Sequence, residues 1–336
     1  MRVLIIGGNR FVGRSLASRL LASGQAVTLL NRGRLADPFG DRVERLVCDR
    51  TSPELERVLL RRTFDAVVDL AAFTGEDGRR AAALLRDRAG HYLMVSTGQV
   101  YLVRESCPRP AREEDYHGPL MRCPTDPADL AEWEYGMGKR ACEDALAAAG
   151  RDGLPETRVR IPMVNGPLDY FRRIESYLWR LVDGGPMIVP DGGTHRLRHV
   201  DGSEVARFIE LLLGRKEAMG RAFNLAQEET PTLFELVTAL RDLTGSRAPL
   251  LSLPTSALRA AGLDPLGVSP FSGRWMSFLD PSRARDEMGF FHAPLATCLA
   301  GVVGSFFAQM PADRPKGYER RTEELSLARA HRGPHS

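Results

Sequence analysis

Several features that would place this chain in a particular class of protein are scarce or absent. The five cysteines lie far apart and form no CxxC pair, a pattern that favours reduced thiols over a disulfide framework. The 46 basic and 43 acidic residues nearly balance, so no strong field for binding polyanions is expected. No apolar run reaches membrane length, and strand-like sequence from residue 2 leaves no room for a signal peptide. We therefore expect a cytoplasmic protein that does not bind membranes.

What the chain does contain is a short apolar run that breaks into a glycine-rich turn. Val3–Ile6 is apolar on both faces, as expected for a strand buried in a parallel sheet. Gly7, Gly8 and Gly13 follow where a dinucleotide-binding fold needs a tight turn, close backbone approach to a pyrophosphate and close helix packing. The next helix ends at Gly24, and its N-terminal amides would hold a diphosphate. The segment predicts a nucleotide site.

The first half of the chain alternates between strand-like and helical patterns. The expected strands are Val3–Ile6, Ala26–Asn31, Arg42–Cys48, Asp65–Ala71, His91–Ser96 and Thr157–Pro162. The expected helices between them include Glu54–Arg61, Arg79–Arg88 and Asp129–Ala149. Such alternation is typical of an α/β fold with a doubly wound parallel (Rossmann) sheet and helices on both faces.

After the sixth strand the sequence changes to proline- and glycine-rich loops with short amphipathic helices, which indicates a smaller second lobe. We expect a nucleotide-binding domain over residues 1–165, to which segments near 195–226 and 270–290 return. A discontinuous C-terminal substrate-binding lobe would span 166–311. Residues 312–336 are polar and predict an exposed helix or a disordered tail.

Tyr135 and Lys139 lie four residues apart on the long predicted helix, so the phenol and the ammonium share one face. A lysine beside a tyrosine favours the phenolate and brings the tyrosine pKa toward a value useful for acid–base chemistry. The chain has only three lysines (Lys139, Lys216 and Lys316) among its 46 basic residues. An arginine-rich sequence that retains a lysine here favours a functional pair over a chance surface pair.

Ser96 and Thr97 close the fifth strand, at the carboxyl edge of the sheet where ligands bind in such folds. A hydroxyl at this edge could bond a substrate oxygen while a tyrosine moves the proton. An ordinary strand-end cap is an equally good interpretation of these two residues taken alone.

Together these motifs resemble the extended and atypical short-chain dehydrogenase/reductases, the NAD-dependent epimerase/dehydratase group, over about residues 1–310. The GGxRFVG form of the glycine loop, with Arg10, is similar to the atypical branch. The resemblance implies that Thr97 is the catalytic hydroxyl, that Tyr135 is the acid–base residue, and that Lys139 also holds the nicotinamide ribose. It implies contacts of Asp49 with adenine.

The motifs and the resemblance together imply a set of cofactor-binding residues. They are Gly7, Gly8, Arg10, Phe11, Val12, Gly13, Asn31, Arg32, Asp49, Leu70, Ala71, Ala72, Ser96, Tyr135, Lys139 and Pro162. The end of the second strand lacks the acid that would repel a 2′-phosphate, and Arg32 could pair with one. We therefore expect NADP in preference to NAD.

The resemblance also bears on the substrate. Relatives that act on nucleoside-diphosphate sugars use two arginines on the diphosphate, and Arg274 with either Arg196 or Arg198 would fit. His195 and His199 could be read as a metal pair, but no third ligand completes a site, so no metal is expected. Gly98–Gln99 replaces the Asp–Glu pair of family dehydratases, which argues against dehydration. A homodimer is implied by resemblance alone.

We expect an NAD(P)-dependent epimerase or oxidoreductase that acts on a carbinol or keto carbon, with a nucleotide sugar as the foremost substrate class. One alternative is an NADPH-dependent reductase of a non-sugar ketone. The other is an atypical member without turnover that regulates or binds RNA, as the chloroplast stem-loop-binding proteins do. The balanced charge weighs against RNA binding.

Overall fold

The computed structural model describes residues 1–332, which form eleven strands and thirteen α-helices. The strands are β1 Arg2–Ile6, β2 Ala26–Asn31, β3 Val43–Val47, β4 Ala66–Asp69, β5 Tyr92–Thr97, β6 Glu156–Ile161, β7 Val164–Asn165, β8 Met187–Pro190, β9 Val200–Asp201, β10 Arg221–Asn224 and β11 Leu250–Leu253. The first seven helices are α1 Phe11–Ala22, α2 Glu54–Leu59, α3 Gly75–Leu85, α4 Gln99–Leu102, α5 Pro127–Arg151, α6 Arg173–Val182 and α7 Gly202–Leu212. The remaining helices are α8 Leu233–Thr244, α9 Thr255–Ala260, α10 Pro265–Val268, α11 Ser282–Met288, α12 Leu295–Ala308 and α13 Arg321–Arg332.

Seven of these strands form one parallel sheet in the order β10-β6-β5-β4-β1-β2-β3. The strand order reverses between β1 and β4, which are neighbours although β2 and β3 separate them in sequence. Strands β4 and β5 are buried almost throughout, as two-sided coverage by helices requires. The predicted doubly wound α/β fold is confirmed, and its switch point places the ends of β1 and β4 side by side.

The helices pack on this sheet in pairs, α1 with α7 and α3 with α5. Small residues bring the second pair unusually close: a Cβ added at Gly78 of α3 would lie 2.8 Å from the Cys142 carbonyl oxygen of α5. The core under α3 and α5 is built from apolar side chains such as Leu85, Met94 and Leu146. The long α5 is therefore held rigidly against the sheet.

The chain divides into two compact units. The first contains residues 1–163, 202–226 and 277–292, and the second begins at 164 and holds the intervening segments and the part after 292. The return from the second unit falls at residue 202 and not near 195, because β9 still pairs with β7. The second unit also contains the parallel pair β8–β11.

The C-terminal segment differs from the exposed or disordered tail that its polar composition predicts. Arg321, Glu324 and Ala328 of α13 are buried within the second unit, at helical spacing. Glu324 pairs with the fully buried Arg180 of α6. Two of these three buried residues are charged, so the polar composition of the segment does not reveal that it is buried. Residues 333–336 of the predicted tail lie outside the described residues.

Among the described residues, no helix has both the length and the apolar character needed to cross a bilayer.

Candidate functional site

The glycine loop between β1 and α1 is shaped by steric limits. Gly7 has φ +93°, a backbone conformation that side chains with a Cβ rarely adopt. A Cβ on Gly8 would lie 2.6 Å from Leu29 Cδ2, and one on Gly13 would lie 2.7 Å from the Gly7 carbonyl oxygen. The first turn of α1 contains no acidic residue, so its amides and helix dipole favour an anion. The loop is a cradle suited to a diphosphate.

Two further predicted loop residues, Phe11 and Val12, begin α1. Phe11 has φ +38° and is buried. Its ring lies against Gly202, so that a Cβ added to Gly202 would come within 2.9 Å of Phe11 Cε2. Val12 is half-buried. The Phe11 side chain therefore packs α1 against the start of α7, and only its backbone is left to face an anion in the loop.

The turn after β4 lies against the glycine loop. A Cβ on Gly7 would contact the side chains of Leu70 and Ala71 at 3.5 Å, and Ala72 is fully buried. Buried Asp69 fixes this turn by accepting a hydrogen bond from the Ala71 amide at 2.9 Å. The predicted residues Leu70, Ala71 and Ala72 therefore border the cradle.

Asp69 is in turn held by two groups that the sequence motifs do not reveal. Arg50 Nη1 donates to its carboxylate at 2.6 Å, and the Tyr92 hydroxyl donates at 2.7 Å. The neighbouring carboxylates raise the pKa of Arg50 against the opposing effect of burial, so Arg50 stays charged. In the sequence, the one signal that could have predicted this cluster is the charged Asp69 at the end of the apolar strand β4.

The end of β2 is linked to the glycine loop through Asn31. Its Nδ2 donates to Asn9 Oδ1 at 2.8 Å, and its Oδ1 accepts from the Gly33 amide at 2.8 Å. Arg10 and Arg32 are exposed. Asp49 is half-exposed and accepts two hydrogen bonds from Thr51, which lower the pKa of its carboxyl together with the charge of Arg32. The segments after β2 and β3 therefore present arginine, and the Asp49 carboxylate is already bonded.

Helix α5 carries the predicted catalytic pair. It starts at Pro127, two residues earlier than the apolar pattern predicts, because the Asp126 carboxylate caps the amides of Ala128 and Asp129. Tyr135 is 39% exposed, whereas Lys139 is 3% exposed and donates from Nζ to the Val95 carbonyl oxygen at 3.0 Å.

Burial lowers the pKa of Lys139 to about 8. At neutral pH the side chain is still mostly an ammonium. The arrangement therefore places a buried cation below an accessible phenol, one helical turn away.

The two glycines between Tyr135 and Lys139 explain how α5 comes so close to the sheet edge. A Cβ on Gly136 would lie 2.5 Å from Val103 Cγ1 and 3.0 Å from the Gln99 carbonyl oxygen. A Cβ on Gly138 would lie 2.7 Å from the Phe73 carbonyl oxygen. Glycine inside a helix pattern was the sequence signal for this close approach.

Thr97 and Ser96 point in different directions at the end of β5, as alternation along a strand requires. Thr97 is half-exposed and accepts from the Gln99 amide at 3.2 Å, in the segment that α5 contacts. Ser96 is 2% exposed and donates to Glu143. The expectation that the Ser96 hydroxyl faces a ligand is wrong for this side chain, because it is directed into the interior.

Beneath Ser96 lies a buried polar network that sequence reasoning missed. Arg160 of β6 pairs with Glu143 at 2.7 Å and donates to the Tyr101 hydroxyl at 2.7 Å. The Tyr101 hydroxyl donates to Asn224 of β10 at 2.8 Å. The network joins β5, β6, β10 and α5, and it fixes the strand end that carries Thr97. Pro162 follows β6 and is buried.

The predicted substrate arginines belong to the second unit. Arg196 is exposed and donates to the Thr230 carbonyl oxygen at 2.9 Å, while half-buried Arg198 donates to that of Glu228 at 3.2 Å. The Arg274 guanidinium is exposed and lies 5.3 Å from the Trp275 ring centroid. His195 Nε2 bonds the Phe271 carbonyl oxygen at 2.8 Å.

His199, the other histidine weighed above, bonds Asn165 through Nδ1 at 2.8 Å. Burial lowers the pKa of His199 to about 3, so its imidazole is neutral at physiological pH.

A seven-stranded parallel sheet with a glycine-lined anion cradle at its switch point defines the class of Rossmann-type nucleotide-binding proteins. Within that class, the family model of the NAD dependent epimerase/dehydratase family matches residues 3–226. The chain belongs to the NAD dependent epimerase/dehydratase family.

One curated relative in this comparison is the chloroplast stem-loop binding protein of 41 kDa b from Arabidopsis thaliana. It is 27% identical over 267 residues, which cover 74% of this chain and 64% of the relative. The chain therefore spans less than two thirds of that protein's length.

Solved structures share the fold at low sequence identity. A UDP-glucose 4-epimerase from Thermotoga maritima, determined with UDP-glucose, is 18% identical with a TM-score of 0.72, covering 93% of this chain and all of that one. A UDP-N-acetylglucosamine 4-epimerase from Methanobrevibacter ruminantium is 17% identical with a TM-score of 0.72, covering 92% and 99%. A UDP-glucuronic acid 4-epimerase from Bacillus cereus, determined with NAD, is 16% identical with a TM-score of 0.69, covering 93% and 99%.

Proposed function

We propose that this protein is an NAD(P)-dependent epimerase or oxidoreductase that acts on a carbinol or keto carbon, most readily that of a nucleotide sugar. The observation that carries the proposal is the accessible Tyr135 phenol above the buried Lys139 ammonium, next to the strand end that bears Thr97. A protein that only senses a cofactor has no need of this set. The names of the three structural neighbours given above, each a 4-epimerase of a UDP sugar, support the substrate class.

The residues present fit a dinucleotide. The loop of Gly7, Gly8 and Gly13 packs so closely that a Cβ on Gly8 or Gly13 would clash with neighbouring protein atoms, and the N-terminal amides of α1 that follow it have no side-chain cap from Arg10. The turn at Ala71 would border the cofactor, and Lys139 would hold its ribose. When bound, the nicotinamide supplies a hydride acceptor or donor.

The chain's own residues supply the proton chemistry. Tyr135 accepts the proton of the substrate hydroxyl at its phenolate oxygen, or returns it to a ketone oxygen. Lys139 stabilises the phenolate by its charge, and Thr97 Oγ1 donates a hydrogen bond that orients the same substrate oxygen. Gly98 and Gln99 offer no acid at the positions of a dehydratase pair, so epimerisation or net reduction is favoured over dehydration.

NADP preference is part of the proposal. Asn31 stands at the strand end where an acid would bind the ribose diol, and its amide is bonded to the glycine loop. Exposed Arg10 and Arg32 can pair with a 2′-phosphate.

The remaining parts of the proposal concern cell compartment, assembly and domain roles. We infer a cytoplasmic homodimer, with residues 1–165 and their returning segments as the cofactor domain and the lobe over 166–311 as the substrate-binding part. Arg274 and one of Arg196 or Arg198 would pair with the substrate diphosphate.

The first experiment is native mass spectrometry of freshly purified protein, followed by assays with UDP-glucose and UDP-N-acetylglucosamine. Retained NADP(H) or NAD(H) supports a recycling epimerase, whereas an empty protein that binds added NADPH supports a reductase. The same spectra report the oligomeric state. A protein that binds neither nucleotide contradicts the proposal.

Tyr135→Phe tests the mechanism. We expect turnover to fall by about 10²- to 10⁴-fold, because the proton acceptor is lost, with cofactor affinity unchanged. Lys139→Arg should also impair turnover, while Lys216→Arg, the matched control at an exposed lysine, should not. Full activity of Tyr135→Phe would exclude the assigned chemistry.

A second candidate function is RNA binding, which the name of the Arabidopsis relative favours. A stem-loop RNA titrated at several salt concentrations decides it. Steeply salt-dependent binding, together with absent turnover, would favour this candidate, and no binding at low salt would remove it.

A further inference from the structure

The Lys139 ammonium lies between a carbonyl and an aromatic ring. Its Nζ donates to the Val95 carbonyl oxygen at 3.0 Å and lies 4.6 Å from the centroid of the Phe73 ring. The Tyr135 centroid is farther away, at 6.0 Å. An ammonium has three N–H donors, and a ring face within about 6 Å attracts one electrostatically. Phe73 is therefore the nearest π partner of this buried cation.

Charged groups around Lys139 act only over longer distances, since no carboxylate lies within ion-pair range of it in residues 1–332. Asp69 at the end of β4 and Cys142 and Glu143 on α5 favour the ammonium, and Arg50 opposes it. Burial opposes the charged form more strongly than any of these. The ring face of Phe73 is the short-range contact that favours the ammonium without a counter-charge.

The backbone of Phe73 is fixed on both sides. Its amide donates to Asp77 Oδ2 at 2.9 Å, within the capping box that starts α3. Its carbonyl oxygen lies against Gly138, where a Cβ would come within 2.7 Å. Phe73 as a whole is 47% exposed, and its ring centroid lies 6.3 Å from that of Tyr135. A large apolar side chain is thus held at the surface, beside the phenol and over the ammonium.

We propose that Phe73 is a positioning residue for the acid–base pair: its ring holds the Lys139 side chain in the charged form and in place beneath Tyr135. This role rests on the proposed function, because it matters for turnover only if Tyr135 moves a proton. The variant Phe73→Leu would keep the apolar bulk of the side chain but lose the quadrupole of the aromatic ring, whereas Phe73→Tyr would keep both.

The small number of lysines makes the test direct. In protein labelled with ¹³C,¹⁵N-lysine, three side chains give signals, and Lys216→Arg and Lys316→Arg assign them. We expect Phe73→Leu to lower the measured pKa of Lys139 by about half a unit, and Phe73→Tyr to restore it. The control is Phe234→Leu, since Phe234 is equally exposed, at 46%, on α8. An unchanged or raised Lys139 pKa in Phe73→Leu overturns the proposal, a rise showing that the ring acts only by excluding water.

A kinetic arm separates this role from simple packing. With UDP-glucose as the probe, the alkaline limb of kcat should move to lower pH in Phe73→Leu and stay in place in Phe73→Tyr. The titration needs no turnover. If UDP-glucose is not turned over yet Phe73→Leu shifts the Lys139 titration, the ring–ammonium contact stands and the proposed function is what fails. If turnover occurs and neither the titration nor the pH limb moves, the proposal for Phe73 is wrong and the proposed function stands.

Discussion

At the scale of single residues, Gly138 shows how a glycine within a helix lets the helix lie close to a neighbouring turn at the candidate site. Glycine in a helix costs about 1 kcal/mol relative to alanine, so two glycines within one turn of α5 need a reason. The reason is close approach, since the Phe73 carbonyl occupies the space that a Cβ would need.

We expect Gly138→Ala to lower both the melting temperature and kcat, because the added methyl pushes α5 away from the turn that carries Phe73. Gly304→Ala on α12, where nothing lies within 4 Å of the new Cβ, should instead stabilise the protein by up to about 1 kcal/mol. Thermal unfolding and steady-state kinetics of both variants measure this. Equal effects of the two changes would show that packing at Gly138 is unimportant.

Glu156 gives a second prediction at this scale. It is almost fully buried beside Arg158, and burial raises its pKa to about 7, above the ordinary value of 4.5 for a glutamate. The folded state therefore holds the proton of Glu156 more tightly than the unfolded chain does. The contribution of this proton to the free energy of unfolding is complete below about pH 4.5 and is lost as the pH rises through 7.

The variant Glu156→Gln should remove this loss of stability at rising pH, because its side chain does not titrate. In urea unfolding, we expect the variant to gain stability relative to the wild type between pH 5 and pH 8, by less than about 3 kcal/mol. Glu134→Gln, at an exposed position on α5, is the control and should leave the pH dependence unchanged. The same pH dependence in Glu156→Gln and the wild type would contradict the argument.

At the scale of elements, α13 depends on a buried ion pair. Arg180 and Glu324 are both fully buried, and Arg180 also donates to the carbonyl oxygens of Ser176 and Gly267. Glu324→Gln leaves Arg180 without a counter-charge, so we expect a loss of about 3–5 kcal/mol in the free energy of unfolding. Glu323→Gln, whose carboxylate is exposed, should leave it nearly unchanged. Similar urea midpoints for the two variants would show that the pair does not anchor α13.

Elements with a clear periodic pattern could be predicted, and those held by polar contacts could not. Strand β2 has the predicted bounds, Ala26–Asn31, because its apolar run stops at polar residues on both sides. The start of helix α6 at Arg173 could not be predicted, since Arg172 adopts a left-handed conformation that a local pattern does not encode. The anchoring of α13 escaped prediction because it depends on Arg180, which is 144 residues away.

At the scale of the whole molecule, alternation of strands and helices was enough to predict the doubly wound sheet. The motifs also located the glycine cradle and the Tyr135–Lys139 pair. The residues that hold these in place could not be predicted. Asp69 with Arg50, and Glu143 with Arg160, are paired by the topology of the sheet and not by sequence spacing.

The pairing of β10 with β6 has a consequence for synthesis on the ribosome. Strand β6 ends at Ile161, but its neighbour β10 starts only at Arg221, after the chain has passed through part of the second unit. At about 5–20 residues per second, the nascent sheet keeps an open edge at β6 for several seconds. During that interval the unpaired edge is a template for wrong pairing with other chains. We therefore expect the nascent chain to be most prone to aggregation between the emergence of β6 and that of β10.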